Sequence, residues 1–290
     1  MLSICEPAQV FRNLYRLARV HDRNARIETV DDLRKGYLAF LEGRQPDVPV
    51  NYSDNVFVLD PSVQDRLAGA FSKGALNDLK QEDVVGDNYA PDLLEQRTEM
   101  VRQALVRLLL LDNEFSSVFD VVVHSIFVRP SKPAETAHGS HGGSSSASIG
   151  AIWLAVGERI QQLDLVEMLV HELTHHLVFI DELNFPQFDY DLIVRKENFA
   201  LSAILKRQRP LDKVIHSIIV GASLVDARNR FLDNHQRTIV HPSTPELQQD
   251  TLAAIASVME LRNIEDLITP HTFELLDECA EFCRSPALVG

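Results

Sequence analysis

The chain has 290 residues, of which 45% are hydrophobic and 24% are charged, the composition of an ordinary folded protein. This length is enough for one large domain or two smaller ones, each with a buried core. With 42 acidic and 28 basic residues, the formal net charge is −14, so the chain lacks the excess of cations that binding to phosphate backbones requires. We therefore expect no nucleic acid partner.

Neither a secretion signal nor a membrane-spanning segment is visible in the sequence. Acidic Glu6 stands early in the chain, no apolar run follows a basic start, and no window approaches the roughly 18 apolar residues of a spanning helix. We expect a cytoplasmic protein with no membrane partner. Three cysteines are too few for a disulfide scaffold, and Cys279 and Cys283 are predicted to be packing residues or free thiols.

Helices are predicted for most of the first 112 residues. Apolar residues at helical spacing mark a helix over 8–20. A second helix begins near Thr29 or Asp31, either of which can cap it, and a third covers 95–112. We expect residues 1–112 to form a helical N-terminal region that is a candidate for peptide binding.

Two strands are predicted in the middle of the chain, at 119–130 and 149–156, because both runs are rich in β-branched and aromatic residues. The Gly-, Ser- and His-rich segment between them is predicted to be a flexible, exposed loop that could close over a cleft. It contains His138 and His141. We expect 149–156 to be an edge strand on which an extended peptide could dock.

The chain turns helical again from Leu163, with further helices at 211–232, 246–262 and 271–284. The predicted fold class is α+β and predominantly helical. It has a small sheet whose edge strand lies beside the helix with the metal motif, a zincin-like arrangement. Residues 113–290 would then be the metal-binding catalytic region, either a separate domain or one domain with the N-terminal region.

One motif indicates chemistry. His171, Glu172 and His175 form H-E-x-x-H in an apolar stretch with helical periodicity. Histidines four residues apart lie one turn apart on the same helix face, so they can present two imidazole nitrogens to one metal ion. A chance match is improbable in such a helix because burying His-Glu-His without compensation is costly. His176 follows directly but points away from this pair, so we do not predict it as a ligand.

A third protein ligand is needed, and two residues compete for that role. The metzincin extension fails because Val178 and Asp181 stand where that pattern needs Gly and His. Glu197 lies at the distance at which a gluzincin supplies its glutamate. His216 lies in an apolar predicted helix, where a histidine without a ligand role would be a satisfied core residue. We favour His216, with Glu197 as the alternative.

The motif by itself allows three functions. In a zinc metallopeptidase, Glu172 is the general base that takes a proton from water at the metal. In an oxygenase, Glu172 orients a ligand or the substrate instead. A purely structural metal site is the least favoured, because such sites usually have four protein ligands and do not need the glutamate.

Residues 144–232 resemble the HExxH-motif peptide-modifying proteins of bacterial natural-product clusters. The resemblance rests on the Ser-rich segment with its strand (SSSASIGAIWLA), on LVEMLVHELTHHL, and on Arg209-Pro210-Leu211 followed by His216. Proteins of this family are understood as iron(II)- and 2-oxoglutarate-dependent hydroxylases. They oxidise the β-carbon of residues in ribosomally made peptides.

The resemblance implies that His171, His175 and His216 hold Fe(II). Arg209, or its neighbour Arg207, would bind the distal carboxylate of 2-oxoglutarate, for which a forked guanidinium is suited. The partner would be a peptide substrate, for example a precursor with a leader sequence. Imidazole ligands suit zinc as well as iron, so a zinc metallopeptidase with Glu172 as general base remains the alternative.

Overall fold

The computed structural model describes residues 1–71, 84–132, 141–232 and 238–284. The chain divides into two compact units, which are Pro7–Asn184 (the first unit) and Met1–Glu6 with Phe185–Gly290 (the second unit). The division therefore falls after Asn184 and not after residue 112. Residues 7–112, for which sequence analysis left open a separate domain or one domain with the metal-binding region, lie in the same unit as the H-E-x-x-H motif.

The first unit contains six α-helices among its described residues. They are α1 (Pro7–His21), α2 (Val30–Arg44), α3 (Pro61–Phe71), α4 (Pro91–Leu111), α5 (Asn113–Val122) and α6 (Gln162–Asn184). Thr29 caps α2 as predicted: its side chain accepts a hydrogen bond from the Asp32 backbone N–H, and the Asp32 carboxylate accepts one from Thr29. Sequence analysis did not anticipate α3 or α5.

Helix α6 is the centre of the first unit. It packs against α1, α4 and α5 and against the sheet, and most of its residues are buried, polar ones included. A helix enclosed in this way needs apolar residues on nearly all sides, which its long apolar runs before and after the motif provide. The few polar side chains that α6 carries inward must therefore find partners within the protein.

A three-stranded sheet lies beside α6, with strands β1 (Ser125–Val128), β2 (Gly142–Gly143) and β3 (Ala151–Leu154). Strand β3 is in the middle, parallel to β1 and antiparallel to β2. Phe127 of β1 and Trp153 of β3 pack with residues of α3. Helix α6 packs against β2 and β3. All residues of β1 and β3 are buried, which explains their continuous apolar sequence.

Two predictions about this sheet were wrong. The edge next to β3 is formed by β2, from the segment expected to be a flexible loop, so 149–156 does not provide the edge strand. The predicted strand 119–130 begins only at Ser125. Phe119–Val122 end α5, which Asp112 caps by accepting from the Phe115 backbone N–H. Burial of one helix face outweighs the strand propensity of these valines.

The second unit is also mainly helical. It contains α7 (Tyr190–Ile193), α8 (Leu211–Arg230), α9 (Thr244–Met259), α10 (Ile264–Leu267) and α11 (Pro270–Arg284), with a hairpin of β4 (Ala200–Leu201) and β5 (Gln208–Arg209). Helices α8, α9 and α11 pack on one another. Cys279 and Cys283 are buried free thiols in α11, as predicted. The α+β, predominantly helical fold class is confirmed.

Among the described helices of both units, none combines the length and the apolar character that crossing a bilayer requires.

Gly150, directly before β3, lies beside the buried histidines His124 and His176, and its surroundings leave no room for a side chain. Its φ is +86°, and a Cβ there would lie 2.5 Å from Cδ2 of His124 and 3.0 Å from the Val122 carbonyl oxygen. Gly150→Ala therefore combines backbone strain with a clash. We expect it to lower the free energy of unfolding by at least about 2 kcal/mol, measured by urea denaturation followed by circular dichroism.

Gly157→Ala is the matched control, because a Cβ at Gly157 meets no atom within 4 Å. Its effect should stay within about 0.5 kcal/mol of the wild type. Equal stabilities of the two variants would contradict the tight packing described at Gly150.

Candidate metal centre

Helix α6 presents the two motif histidines toward each other. His171 and His175 are half-buried, their Nε2 atoms are 3.2 Å apart, and their ring centroids are 4.9 Å apart at an interplanar angle of 62°. The spacing of four residues places the two rings one turn apart on the same face. The structure therefore brings together the two ligands that the motif predicts.

The distance between the two nitrogens fits joint coordination of one ion. With metal–nitrogen bonds of about 2.0–2.1 Å, a tetrahedral angle separates two ligand nitrogens by about 3.3 Å and a right angle by about 2.9 Å. The observed 3.2 Å between the Nε2 atoms lies within this range. The pair therefore suits a tetrahedral zinc site and an octahedral iron site alike.

Glu172 completes the group of side chains at this place. One carboxylate oxygen and one nitrogen from each of the two histidines all lie within 4.8 Å of one another. The Glu172 side chain is buried, and its Oε2 accepts a hydrogen bond of 2.8 Å from the Ser144 hydroxyl. A Cβ on Gly142 would lie 3.1 Å from the other carboxylate oxygen, so β2 approaches Glu172 closely.

Burial changes the acidity of this carboxyl. Desolvation raises the pKa of Glu172 to about 8, and the hydrogen bond from Ser144 opposes the shift. Without a nearby positive charge the group therefore favours its neutral form at neutral pH. A divalent cation held by His171 and His175 would favour the carboxylate, because an opposite charge at this distance lowers the pKa.

His176 faces the sheet instead of the histidine pair. It is completely buried, its Nδ1 accepts a hydrogen bond of 3.2 Å from the Gly150 backbone N–H, and its Nε2 lies 3.3 Å from Oγ of Ser144. Burial lowers the pKa of His176 to about 3, nearby His124 contributes to the shift, and a hydrogen bond with the Ala151 backbone opposes it. A neutral imidazole is therefore built into the sheet side of α6.

His124 is a second buried histidine on the sheet. Its Nδ1 lies 2.9 Å from Oγ of Ser125 and its Nε2 lies 3.2 Å from the Ile149 carbonyl oxygen. Burial lowers the pKa of His124 to about 4, and Arg34 contributes to the shift, whereas the hydrogen bond to the Ile149 carbonyl oxygen opposes it.

The remaining predicted site residues lie in the second unit. His216 is on α8 and is buried, and Arg209 is on β5 and is also buried. Glu197 is exposed on a 3-10 helix (Lys196–Asn198), and Arg207 is exposed next to β5. The roles of these four residues stay predictions from the sequence.

Of the two histidines in the loop predicted between the strands, the structure describes one. His138 lies outside the described residues, as does the stretch 133–140 around it. His141 is described, and its carbonyl oxygen accepts a hydrogen bond of 2.8 Å from the Ala155 backbone N–H. The end of this loop is therefore attached to the sheet.

Sequence analysis missed three residues, of which two lie beside Glu172 and one lies near the predicted ligand His216 on α8. Ser144 was regarded as part of a flexible loop, and His176 as a residue pointing away from the metal. Asp212 was not considered; it is buried one turn before His216 on α8, and its Oδ1 has no hydrogen-bond partner. The sequence spacing could have pointed to two of them. His176 stands four residues after Glu172, and Asp212 stands four residues before His216, so the members of each pair lie one helical turn apart.

The comparisons with known proteins give no family for this chain: no protein-family model matches the sequence, and no curated protein matches it.

The geometry predicts one divalent ion per chain. We expect the metal-free protein to bind one equivalent of Co²⁺ with a visible absorption spectrum. His171→Ala and His175→Ala should each weaken binding by more than the 10- to 100-fold that loss of an outer partner costs. His21→Ala, which changes an exposed histidine at the end of α1, should bind as the wild type does. Unchanged affinity in His171→Ala would contradict the site.

The lowered pKa of His124 predicts how stability depends on pH. The unfolded chain takes up this proton near pH 6.5, but the native protein does so only near pH 4. Between these values the unfolded state binds more protons, so stability falls as the pH falls, by at most about 1.4 kcal/mol per pH unit for this group.

We therefore expect His124→Gln to reduce the slope of unfolding free energy against pH in this window, measured by urea denaturation. His21→Gln is the control at an exposed histidine and should keep the wild-type slope. A His124→Gln slope equal to that of the wild type would contradict the buried neutral imidazole.

Proposed function

We propose that this protein is a metal-dependent enzyme that acts on peptides, with His171 and His175 as ligands of the ion. The observation that carries the proposal is the 3.2 Å separation of the two Nε2 atoms, together with the buried Glu172 carboxyl within 4.8 Å of them. Among the described residues, two histidines and a glutamate form this group, and even with one further protein ligand the ion keeps positions for a substrate or cofactor, which a purely structural site does not.

Within this class we favour a hydroxylase that uses Fe(II), 2-oxoglutarate and O₂ on the β-carbon of a peptide residue. The support is the resemblance of residues 144–232 to peptide-modifying proteins, and the compatibility of the histidine spacing with a six-coordinate ion. Fe(II), when bound, would be chelated by the keto acid and would activate O₂. The peptide substrate is carried over from the resemblance, and a cytoplasmic location stays a prediction from the sequence.

A forked cation is needed for the distal carboxylate of 2-oxoglutarate. Arg209 is a better candidate than Arg207, because its side chain is buried while Arg207 is exposed. A guanidinium removed from water binds a carboxylate more strongly than an exposed one does. The burial pattern therefore favours the arginine that also stands in the Arg-Pro-Leu sequence.

Burial also separates the two candidates for the third ligand. His216 is 5% exposed, whereas Glu197 is exposed on a short 3-10 helix. Metal ligands are usually fixed by packing and by hydrogen bonds from neighbouring residues. Asp212 stands one turn before His216 on α8, and carboxylates often accept a hydrogen bond from the second ring N–H of a ligating histidine. We therefore propose His216 as the third ligand.

A zinc metallopeptidase is the second candidate, and the position of Glu172 favours it. A general base must lie within hydrogen-bond reach of a water at the metal. The Glu172 carboxylate lies near both imidazoles and accepts a hydrogen bond from Ser144. In this reaction Glu172 would take the proton of the water on one of its carboxylate oxygens and pass it to the leaving amine.

One experiment separates the two candidates. The metal-free protein is loaded with Fe(II) without oxygen, and 2-oxoglutarate is added while the visible spectrum is recorded. For the hydroxylase we expect the weak charge-transfer band of a keto acid chelated to iron, and its loss in His171→Ala. Glu172→Gln should keep the band, because Glu172 is not proposed as a ligand. Succinate should form when air is admitted.

The opposite outcome would identify the peptidase. In that case no band appears, the zinc-loaded protein cleaves a mixed peptide library, and Glu172→Gln loses about 100- to 10,000-fold in rate while it keeps zinc. Absence of both the band and cleavage would contradict the proposed function. In the same Fe(II) titration, His216→Ala should lose metal and Glu197→Ala should keep it; the reverse would make Glu197 the third ligand.

A further inference from the structure

The motif continues as H-E-x-x-H-H, so α6 carries two pairs of residues that are four apart. His171 and His175 form the pair that faces the candidate metal position. Glu172 and His176 form a second pair, rotated by about 100° around the helix axis, which faces the sheet. Ser144, next to the end of β2, contacts both members of this second pair.

The hydrogen-bond directions in this second pair follow from one backbone group. The Gly150 N–H can only donate, so Nδ1 of His176, at 3.2 Å, must accept. In the neutral imidazole the proton is then on Nε2, which donates to Oγ of Ser144 at 3.3 Å. The Ser144 hydroxyl has its own proton left, and it donates this proton to Oε2 of Glu172 at 2.8 Å.

The result is a directed chain of hydrogen bonds from the Gly150 backbone through His176 and Ser144 to Glu172. Both ring nitrogens of His176, the Ser144 hydroxyl and Oε2 of Glu172 have partners along it, and both His176 and Glu172 are buried. The Ser144 hydroxyl also lies 3.2 Å from the Glu172 carbonyl oxygen, a longer contact than the one to the carboxylate. The opposite tautomer of His176 would set two donors, Nδ1–H and the Gly150 N–H, against each other.

We propose that Ser144 and His176 are positioning residues that hold the Glu172 carboxylate beside the metal ligands. Their action on the reaction rests on the proposed function, whereas the hydrogen-bond chain itself does not. A buried carboxylate on a long side chain has several rotamers, and one donor of fixed direction selects among them. The close approach of β2 at Gly142, where a Cβ would lie 3.1 Å from the other carboxylate oxygen, limits Glu172 from the strand side.

The chain of hydrogen bonds also explains why the segment before β3 is rich in small residues. At Gly142 a Cβ would lie 3.0 Å from the Trp153 carbonyl oxygen and 3.1 Å from Oε1 of Glu172. At Gly143 it would meet Cε3 of Trp153 at 3.3 Å and no atom of Glu172 among its three nearest. A methyl group at 142 would therefore crowd the carboxylate together with the Trp153 carbonyl and Leu154, whereas a methyl group at 143 would meet the rings of Trp153 and Phe71.

The first test measures the tautomer of His176 and needs no activity. The full chain, labelled with ¹⁵N in its histidine rings, is studied by NMR without metal, and the His176 signals are assigned by their loss in His176→Gln. We expect Nε2 protonated and Nδ1 unprotonated. The Nε2 signal should shift in Ser144→Ala and stay in place in Ser146→Ala, which removes an exposed hydroxyl nearby. A protonated Nδ1, or an unchanged Nε2 signal in Ser144→Ala, would overturn the proposal.

The second test uses whichever reaction the wild type performs, succinate formation from 2-oxoglutarate or cleavage of a peptide library. We expect Ser144→Ala to lower kcat by about 10- to 100-fold, with KM and metal content unchanged, and Ser144→Thr to recover most of the loss. Gly142→Ala should lower kcat in the same way, and Gly143→Ala should not. A kcat of Ser144→Ala within twofold of the wild type would overturn the proposal.

The two tests keep separate failures apart. If the wild type performs neither reaction, the proposed function is wrong, and the NMR measurement alone decides on the hydrogen-bond chain. If the wild type is active and the tautomer is as expected, but Ser144→Ala has normal kcat, the hydrogen bonds exist without positioning Glu172. If His176→Gln does not fold, the Ser144 variants still decide the proposal.

Discussion

The burial of polar side chains on α6 is the constraint on which the structure of the first unit depends. An uncompensated buried carboxyl or imidazole costs several kcal/mol, which is a large part of the stability of a typical domain. Glu172 and His176 are buried, and each is satisfied by a group from the segment that leads into β3. The helix and this segment are therefore mutually dependent: neither can be placed without the other.

This dependence accounts for the unusual composition around the sheet. The segment that approaches α6 must come close enough to donate hydrogen bonds, and the glycines at 142 and 150 leave the room for this approach. Gly142 lies against Glu172, Ser144 supplies the hydroxyl, and Gly150 adopts a positive φ to direct its N–H to His176. A sequence that is typical of a flexible loop is here the part of the sheet that contacts the candidate centre most closely.

Two neighbouring faces of α6 carry different groups of polar side chains. The face with His171 and His175 is half-buried and has its Nε2 atoms 3.2 Å apart, a separation that suits two ligands of one ion. The neighbouring face, with Glu172 and His176, is enclosed and connected to the sheet by hydrogen bonds. A metal site of this kind gains precision from outer partners that fix the groups around the ion. Because the two faces adjoin, α6 provides both the candidate metal ligands and the buried side chains that are hydrogen-bonded to the segment before β3.

The sequence by itself determined the local features. The H-E-x-x-H spacing, the periodicity of α6, the capping of α2 by Thr29 and the predominantly helical α+β class all follow from patterns that act over a few residues. Tertiary structure alone decided the order of the strands, the helical state of Phe119–Val122 and the place of Ser144 beside Glu172. These depend on contacts between residues far apart in the chain, such as the 28 positions between Ser144 and Glu172, and burial in those contacts outweighs local propensity.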